Sequence, residues 1–235
     1  MIEARETQPP RAAVVVPALD EEDALRRHLP ALFAQLQPGD EVVVSDGGSS
    51  DGGPGVARAL GARLVDGPRG RGAQLRRGAE ASAAALLVFL HADSTLPPGG
   101  LALARAAVAR GAVGGGFLLR FDSERPVMRA ASALINLRTR LTRCPLGDQA
   151  QFVTRDAYRA LGGFRDWPIL EDLDFARRLK RLGRVALIAE PVTTAARRFL
   201  DGGVVRTVTI NWAIWALYFA GMSPHRLVKL YRVIR

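Results

Sequence analysis

Apolar strands alternating with amphipathic helices through the first half of the chain predict an α/β fold built on one Rossmann-like, mostly parallel sheet. Three observations carry this. Residues 83–90 form an apolar run that ends on His91-Ala92-Asp93-Ser94, the pattern of a strand buried on both faces. Shorter runs at residues 12–16 and 41–45 also end on polar or glycine-rich turns. Between the runs lie helical stripes of leucine and alanine at the spacing of βα units. Ligands of such sheets bind beyond the carboxyl ends of the strands, so Asp93 stands where a carboxylate would meet a crevice. The alternative is a turn aspartate that caps the next helix.

Taken in order, residues 12–16 form a strand stopped by Pro17. Asp20 can cap a helix whose first turn holds Glu22 and Asp23, where the helix dipole favours negative charge. Leu25, Leu29, Leu32, Phe33 and Leu36 supply its apolar stripe, with Pro30 a kink or restart. The second strand, residues 41–45, runs into Asp46-Gly-Gly-Ser-Ser-Asp51. Pro54 suits a helix's first turn and Gly61 its end. A short strand at 63–65 precedes Gly67-Pro-Arg-Gly-Arg-Gly72 and a helix carrying Gln74, Leu75 and Ala79. An alanine-rich helix follows Pro97-Pro98, and residues 113–121 read as a strand whose three early glycines leave room for a ligand or a bend. After Phe121 the alternation breaks. A basic helix near 125–142 leads to Gly147-Asp148-Gln149 and a short strand at Phe152. Leu161-Gly-Gly-Phe164 reads as a turn, and a helix runs over 171–182. Two apolar helices close the chain, the second entered by Ser223-Pro224.

At 235 residues, 48% apolar and 24% charged, the composition is that of a globular protein, but the net charge is +10. Lys180 and Lys229 are the only lysines among 33 basic residues, a bias that partly reflects coding composition. The positive field favours anionic ligands: phosphates, nucleic acid or an acidic membrane surface. Cys144 is the single cysteine, which excludes an intrachain disulfide and a cysteine-based zinc site. The first eleven residues lack the apolar core of a signal peptide, and no apolar run approaches the ~20 residues of a membrane span. A cytoplasmic enzyme is the expectation, with peripheral contact at the inner membrane face left open.

Single glycine-rich turns are weak signals, but those at 17–21, 46–51 and 93 all follow strands and converge on one sheet edge. Arg69 and Arg71 reach the same edge. Carboxylates and arginines around one crevice suit a nucleoside diphosphate with a metal ion. Glu171 and Asp172 lie about 40° and 60° either side of Phe175 on the helical wheel, near the inward face, where unpaired charge is costly. Helix capping explains them as well. A base at that helix N-terminus would stay ionised. The stretch 211–220 with Arg226, Lys229, Arg232 and Arg235 reads as a helix packed on the domain, a homodimer contact, or an interfacial helix, so that peripheral membrane contact would run through residues 207–235.

These residues resemble a family 2 glycosyltransferase. Four stretches carry the resemblance: Val-Val-Val-Pro-Ala-Leu-Asp-Glu-Glu22, Val-Val-Val-Ser-Asp-Gly-Gly-Ser-Ser-Asp51, Phe-Leu-His-Ala-Asp93, and Leu-Gly-Gly-Phe164 with Leu-Glu-Asp172. Gly-Arg-Gly-Ala-Gln74, Gly-Asp-Gln149 and Arg197-Arg198 further resemble the small soluble radical-SAM/selenodomain-associated subgroup, some of whose members are linked to arsenosugar biosynthesis. The resemblance implies a single GT-A domain over 1–235. Residues 12–121 would bind the nucleotide sugar, 122–200 the acceptor, and 201–235 would form a helical extension. It implies an inverting transfer from a nucleotide-diphospho-sugar donor to an acceptor hydroxyl of unknown identity. Pro17, Ala18, Glu21 and Asp46 would hold the nucleoside, Arg71 and Gln74 the ribose or diphosphate, with His91 and Ala92 alongside. Asp93 would bind Mn²⁺ or Mg²⁺, and Asp172 would be the base. Asp148, Gln149, Glu171, Arg197 and Arg198 would meet the acceptor or diphosphate.

Two departures matter. Asp20 stands where the family usually has Asn. His91 replaces the first Asp of the Asp-x-Asp motif, leaving one sure carboxylate for a metal; an imidazole ligand would favour Mn²⁺. Two other classes fit the sequence less well. A nucleotidyltransferase would want a Gly-rich, Lys-containing loop after the first strand, and Pro17-Ala-Leu-Asp20 lacks one. A nucleic-acid or membrane binder would interleave aromatic and basic residues on one surface, whereas most aromatics here fall in apolar segments; nucleic acid is therefore not expected as a partner.

Overall fold

Strand β1, Ala12–Ala18, is the axis of an eight-stranded sheet and is flanked by β2, Glu41–Asp46, and β4, Leu86–Phe89. The computed structural model describes residues 10–234, apart from the side chains of 198, 201, 205 and 232–234. The remaining strands are β3 (Arg63–Asp66), β5 (Ser94–Thr95), β6 (Gly114–Phe121), β7 (Phe152–Thr154) and β8 (Val185–Thr194). Their order is β3-β2-β1-β4-β7-β6-β8-β5. Pairings β1–β2, β1–β4, β2–β3 and β6–β8 are parallel. Those of β7 with β4 and β6, and of β5 with β8, are antiparallel.

Helices α1 (Glu22–Phe33), α2 (Gly53–Ala59), α4 (Gly100–Ala109) and α5 (Pro126–Thr142) cover one face. Helices α3 (Arg71–Glu80), α6 (Arg155–Ala160) and α7 (Glu171–Leu182) cover the other. The chain ends in α8 (Arg197–Asp201), α9 (Val204–Phe219) and α10 (Pro224–Ile234). No helix among the described residues is long and apolar enough to cross a membrane. Strand side chains alternate between the two cores: Val14, Val16, Leu86 and Val88 face the first, Val15, Leu87 and Phe89 the second. That two-sided burial is why these strands read as unbroken apolar runs.

Several expectations change. Pro17 lies inside β1 instead of ending it. The β4 ladder has already stopped opposite Val15, so a residue without an N–H falls where the sheet is one-sided. Asp20 does not cap α1. It has φ 53° and accepts instead from the Ser50 amide at 2.7 Å, tying the first βα loop to the second. Pro30 sits within α1, which runs on to Phe33 without a restart. The strand expected over 83–90 is ladder-paired only at 86–89. Strand β8, the longest, has no counterpart in the sequence reading; its Glu190 and Pro191 interrupt the alternation, and a register shift opposite Phe117 and Leu118 accommodates them. The glycines of β6 make room for protein, not ligand: Cβ atoms on Gly114 and Gly115 would strike the carbonyl oxygens of Phe152 and Ala186.

At the open end of β1 a buried ion pair closes the fold. Asp40 and Arg105 are 1% and 7% exposed, with Arg105 Nη2 2.6 Å from Asp40 Oδ2. The same carboxylate accepts from the amides of Ala12 and Gln37, each at 2.8 Å. Asp40→Ala strands the guanidinium, so urea denaturation should show a loss of about 3–5 kcal/mol, the usual cost of breaking a buried pair. A loss below about 1 kcal/mol would place it with idle surface pairs.

Candidate active site

The strand order reverses direction between β1 and β4, the switch point where open α/β sheets present a crevice beyond their carboxyl ends. A cleft of about 910 Å³ opens there. Arg69, Arg71, His91, Asp93, Asp148 and Asp172 are among the polar residues that line it. The first four leave the strand ends of the N-terminal sheet, the last two the 3₁₀ turn Gly147–Gln149 and the first turn of α7.

Arg71, at the start of α3, binds Glu171 and Asp172, the first two residues of α7. Its Nε contacts Glu171 Oε1, and its Nη2 lies 3.4 Å from Asp172 Oδ2. Gly72 is required here, because a Cβ would collide with the Arg165 carbonyl and press within 3.6 Å of Glu171 Cβ. Asp172 also accepts from the Gly147 amide at 2.9 Å and the Leu173 amide at 2.7 Å. A Cβ on Gly147 would lie 2.9 Å from His91 Nε2 and 3.1 Å from Asp172 Oδ2, so imidazole and carboxylate flank that glycine together. Burial works to raise the Asp172 carboxyl, but Arg71, the two amides and His91 prevail and hold it below the usual carboxylate range. Burial opposes charge on Arg71 too, yet Glu171 and Asp172 keep it firmly protonated.

Asp148 has the opposite environment. Burial pushes its carboxyl above the usual range, Arg138 pulls it back, and Asp172 raises it further. Its Oδ1 is buried with no hydrogen-bond partner among the described residues. The neighbouring Gln149 is fully buried and turned away from the cleft. It donates to the Phe117 carbonyl at 3.0 Å and accepts from Thr139 Oγ1 at 2.8 Å, Arg138 Nη2 at 3.1 Å and the Leu146 amide at 3.1 Å. It joins β6, α5 and the 3₁₀ turn.

The donor-side residues divide in the same way. Gln74 reaches the cleft, but its Nε2 is spent on the carbonyls of Ala18 and Ser45 at 2.7 and 3.0 Å, clamping the ends of β1 and β2. Asp46 accepts from Gly48 N, Ser49 N and Ser49 Oγ at 2.8, 2.9 and 2.5 Å. Burial raises it, and these bonds more than offset that, holding it below the usual range. Pro17, Ala18, Glu21, Asp46, Ala92, Gln149, Glu171 and Arg197 do not line the cleft, and the Arg198 side chain lies outside the described residues. Sequence reasoning missed Arg138, whose guanidinium sits 4.9 Å over the Trp215 ring, and the wall that α9 and α10 build over the cleft. Nothing marked Arg138 out among the many arginines of α5.

Residues 13–165 match the description Glycosyl transferase family 2. The chain belongs to this family. No curated protein sequence matches it. Among solved structures, the mannosyltransferase PcManGT from Pyrobaculum calidifontis, in complex with GDP-Man and Mn²⁺, is 22% identical with a TM-score of 0.68, over 93% of this chain and 67% of that one. Glucosyl-3-phosphoglycerate synthase from Mycobacterium tuberculosis, in complex with Mn²⁺, UDP and glucosyl-3-phosphoglycerate, is 23% identical with a TM-score of 0.57, over 77% and 70%. TarS from S. aureus is 15% identical with a TM-score of 0.64, over 85% and 39%. These likenesses establish the GT-A fold for this family member.

Whether the site suits a divalent ion follows from its donors. No group of three His, Cys, Asp or Glu that could hold a metal gathers among the described residues. Asp93 is a cleft carboxylate at the end of the β4 segment, while His91 is turned to Gly147 and Asp172. One carboxylate fits a cation bound mainly through substrate phosphate oxygens, the usual manner of Mg²⁺ in nucleotide sites. A dedicated protein cage is not what these residues make.

The two residues of the Asp148-Gln149 pair should separate in experiment. Gln149→Leu leaves several buried groups unpaired at about 1–3 kcal/mol each, so chemical denaturation should show a loss of at least about 3 kcal/mol. Asp148→Asn replaces a carboxylate whose Oδ1 is buried with no hydrogen-bond partner among the described residues, and should leave stability near that of the parent. Equal losses in both would contradict this division.

Proposed function

We propose that this glycosyltransferase moves a sugar from a nucleotide-diphospho-sugar to an acceptor hydroxyl with inversion, and that Asp172 is the general base. The observation that carries the reading is the pairing, in one switch-point cleft, of a carboxylate held ionised, Asp172, with a second one, Asp93, delivered separately by the β4 segment. The family, and the nucleotide sugars and Mn²⁺ held by proteins of the same fold, support it.

On this reading residues 12–121 form the donor side, 122–200 the acceptor side and 201–235 a helical cover, all in one domain. Arg69 and Arg71 draw the diphosphate into the cleft. Asp46 and Gln74 act beneath the nucleoside, fixing the loop and strand ends it would rest on. Asp93 would hold Mn²⁺ or Mg²⁺ together with diphosphate oxygens; the ion, when bound, supplies Lewis-acid stabilisation of the leaving group. Asp172 Oδ2 accepts the acceptor proton as its oxygen attacks the anomeric carbon from the face opposite the departing diphosphate. Arg71 and the Gly147 amide fix that oxygen in place and keep it ionised. His91, beside Asp172, adds to the same field.

Asp172→Asn keeps shape and hydrogen-bond capacity while removing the proton acceptor. Transfer from a nucleotide sugar should fall about 10²–10⁴-fold with nucleotide affinity near the parent's. The pH profile identifies the base independently. A depressed carboxyl stays ionised as pH falls, so the acid limb of kcat/KM should lie below the ordinary carboxylate value. A limb above that value would assign the base to Asp148, which burial raises.

Asp93→Ala should abolish the increment in UDP or GDP affinity that Mn²⁺ provides and leave metal-free binding intact. Asp46→Ala should weaken binding with and without metal. Calorimetry that finds diphosphate affinity unchanged in both variants would remove this cleft as the donor site.

A further inference from the structure

Part of the cleft lining is an apolar wall: Leu134 and Ile135 of α5, Phe199 of α8, Trp212 and Trp215 of α9 and Val228 of α10. Arg138, which lies over the Trp215 ring, and Thr207, Asn211, His225 and Tyr231 punctuate this wall. The wall also runs out to the surface. Leu134 and Trp212 are 42% and 49% exposed, and Leu137, Leu141 and Phe219 on the same two helices are exposed apolar residues as well. Helix α9 bears one formal charge, Arg206, and is otherwise mostly apolar, with Thr207, Thr209, Asn211 and Tyr218 as its remaining polar side chains. Exposed Arg129, Arg140 and Arg143 flank the α5 stripe, and Arg226 and Lys229 project from α10.

A nucleoside diphosphate and its sugar are polar and have no use for such a wall. On the glycosyl-transfer reading above, on which this inference rests, the second substrate must reach Asp172 from the remaining side of the cleft. We infer that the acceptor is a lipid: a hydroxyl-bearing head placed at Asp172 and an alkyl or isoprenyl chain laid along α5, α9 and α10. Continuity of the apolar wall with the catalytic end fixes the direction of the chain, from Asp172 outward past Trp215 and Trp212. The flanking arginines suit the anionic surface from which such a lipid would be drawn. The head supplies the proton that Asp172 accepts, and the chain supplies affinity by burial.

A series of n-alkyl β-D-glucosides from ethyl to decyl, kept below micelle formation, tests the wall without requiring turnover. Titrated calorimetrically into the full chain with UDP or GDP and Mn²⁺ present, affinity should rise about three- to fourfold per methylene that the wall buries. Leu134→Gln combined with Trp212→Gln, both at exposed positions, should flatten that dependence and leave UDP and GDP affinity unchanged. Equal affinity for ethyl and decyl glucoside, or a dependence that survives in the double variant, overturns the inference and leaves glycosyl transfer standing. So does a dimer, seen by sedimentation, that shields Trp212 from acrylamide quenching and is indifferent to the glucosides. Failure of both UDP and GDP to bind with Mn²⁺ would instead sink the transfer reading, and the alkyl series would still report on the wall by itself.

Discussion

Arg71 is the cation on which the site turns. Glu171 is fully buried and Asp172 nearly so, adjacent on the first turn of α7, and two such carboxylates repel each other unless a positive charge lies between them and solvent. Arg71 comes from α3, about a hundred residues earlier in the chain, so the contact also joins the two stretches that carry the cleft. Breaking a buried pair costs far more than the pair contributes, because the surviving charge is stranded. Everything nearby is arranged to keep the arginine in position. Gly72 lets α3 approach the chain before α7. Behind α7 the rings of Phe164 and Phe175 stack at 4.3 Å, with Phe89 edge-on to Phe164 at 4.7 Å, which locks the helix start against the sheet.

Two kinds of polar residue surround the cleft and they do different work. Gln74, Gln149 and Asp46 are saturated by bonds to backbone and neighbouring side chains; they hold strand ends and turns in place. Asp93, Asp148 and Asp172 line the cleft itself. The environment separates the pKa values of Asp148 and Asp172 in opposite directions, although they are close enough to influence each other. A site that keeps one carboxylate ionised beside another inclined to neutrality can both accept and hold a proton.

The N-terminal alternation was legible because each strand there is buried on both faces and each crossover is a helix with a clear stripe. The reading of Glu171 and Asp172 as inward-facing was legible for the same reason, since a strong helical period places every residue of α7 on a face. Asp174, equally buried and paired with Arg178 at 2.7 Å one turn on, was not singled out in the sequence. Strand β8 was illegible: its polar residues fall at the register shift and break the period. The roles of Gln74 and Gln149 were illegible for another reason, as an amide that clamps carbonyls and one that binds ligand look alike in sequence. The C-terminal helices were visible as helices, but which face of them meets the cleft is a tertiary fact.

Strand β7 is three residues long and, among the described residues, is the sole strand that joins the β3-β2-β1-β4 part of the sheet to the pair β6–β8. During synthesis the first four strands can pair once residue 89 has emerged, yet β6 finds neither neighbour until residues 152–154 and 185–194 follow. In that interval Leu86, Leu87 and Val88 present an apolar open edge, the kind that invites pairing with another chain. Closing it requires a loop of some sixty residues to be drawn in, an entropic toll that rises only slowly with length but must be met before any of the later contacts reward it. The chain thus builds its cleft from one bank first. The crossing waits on Phe152, Val153 and Thr154.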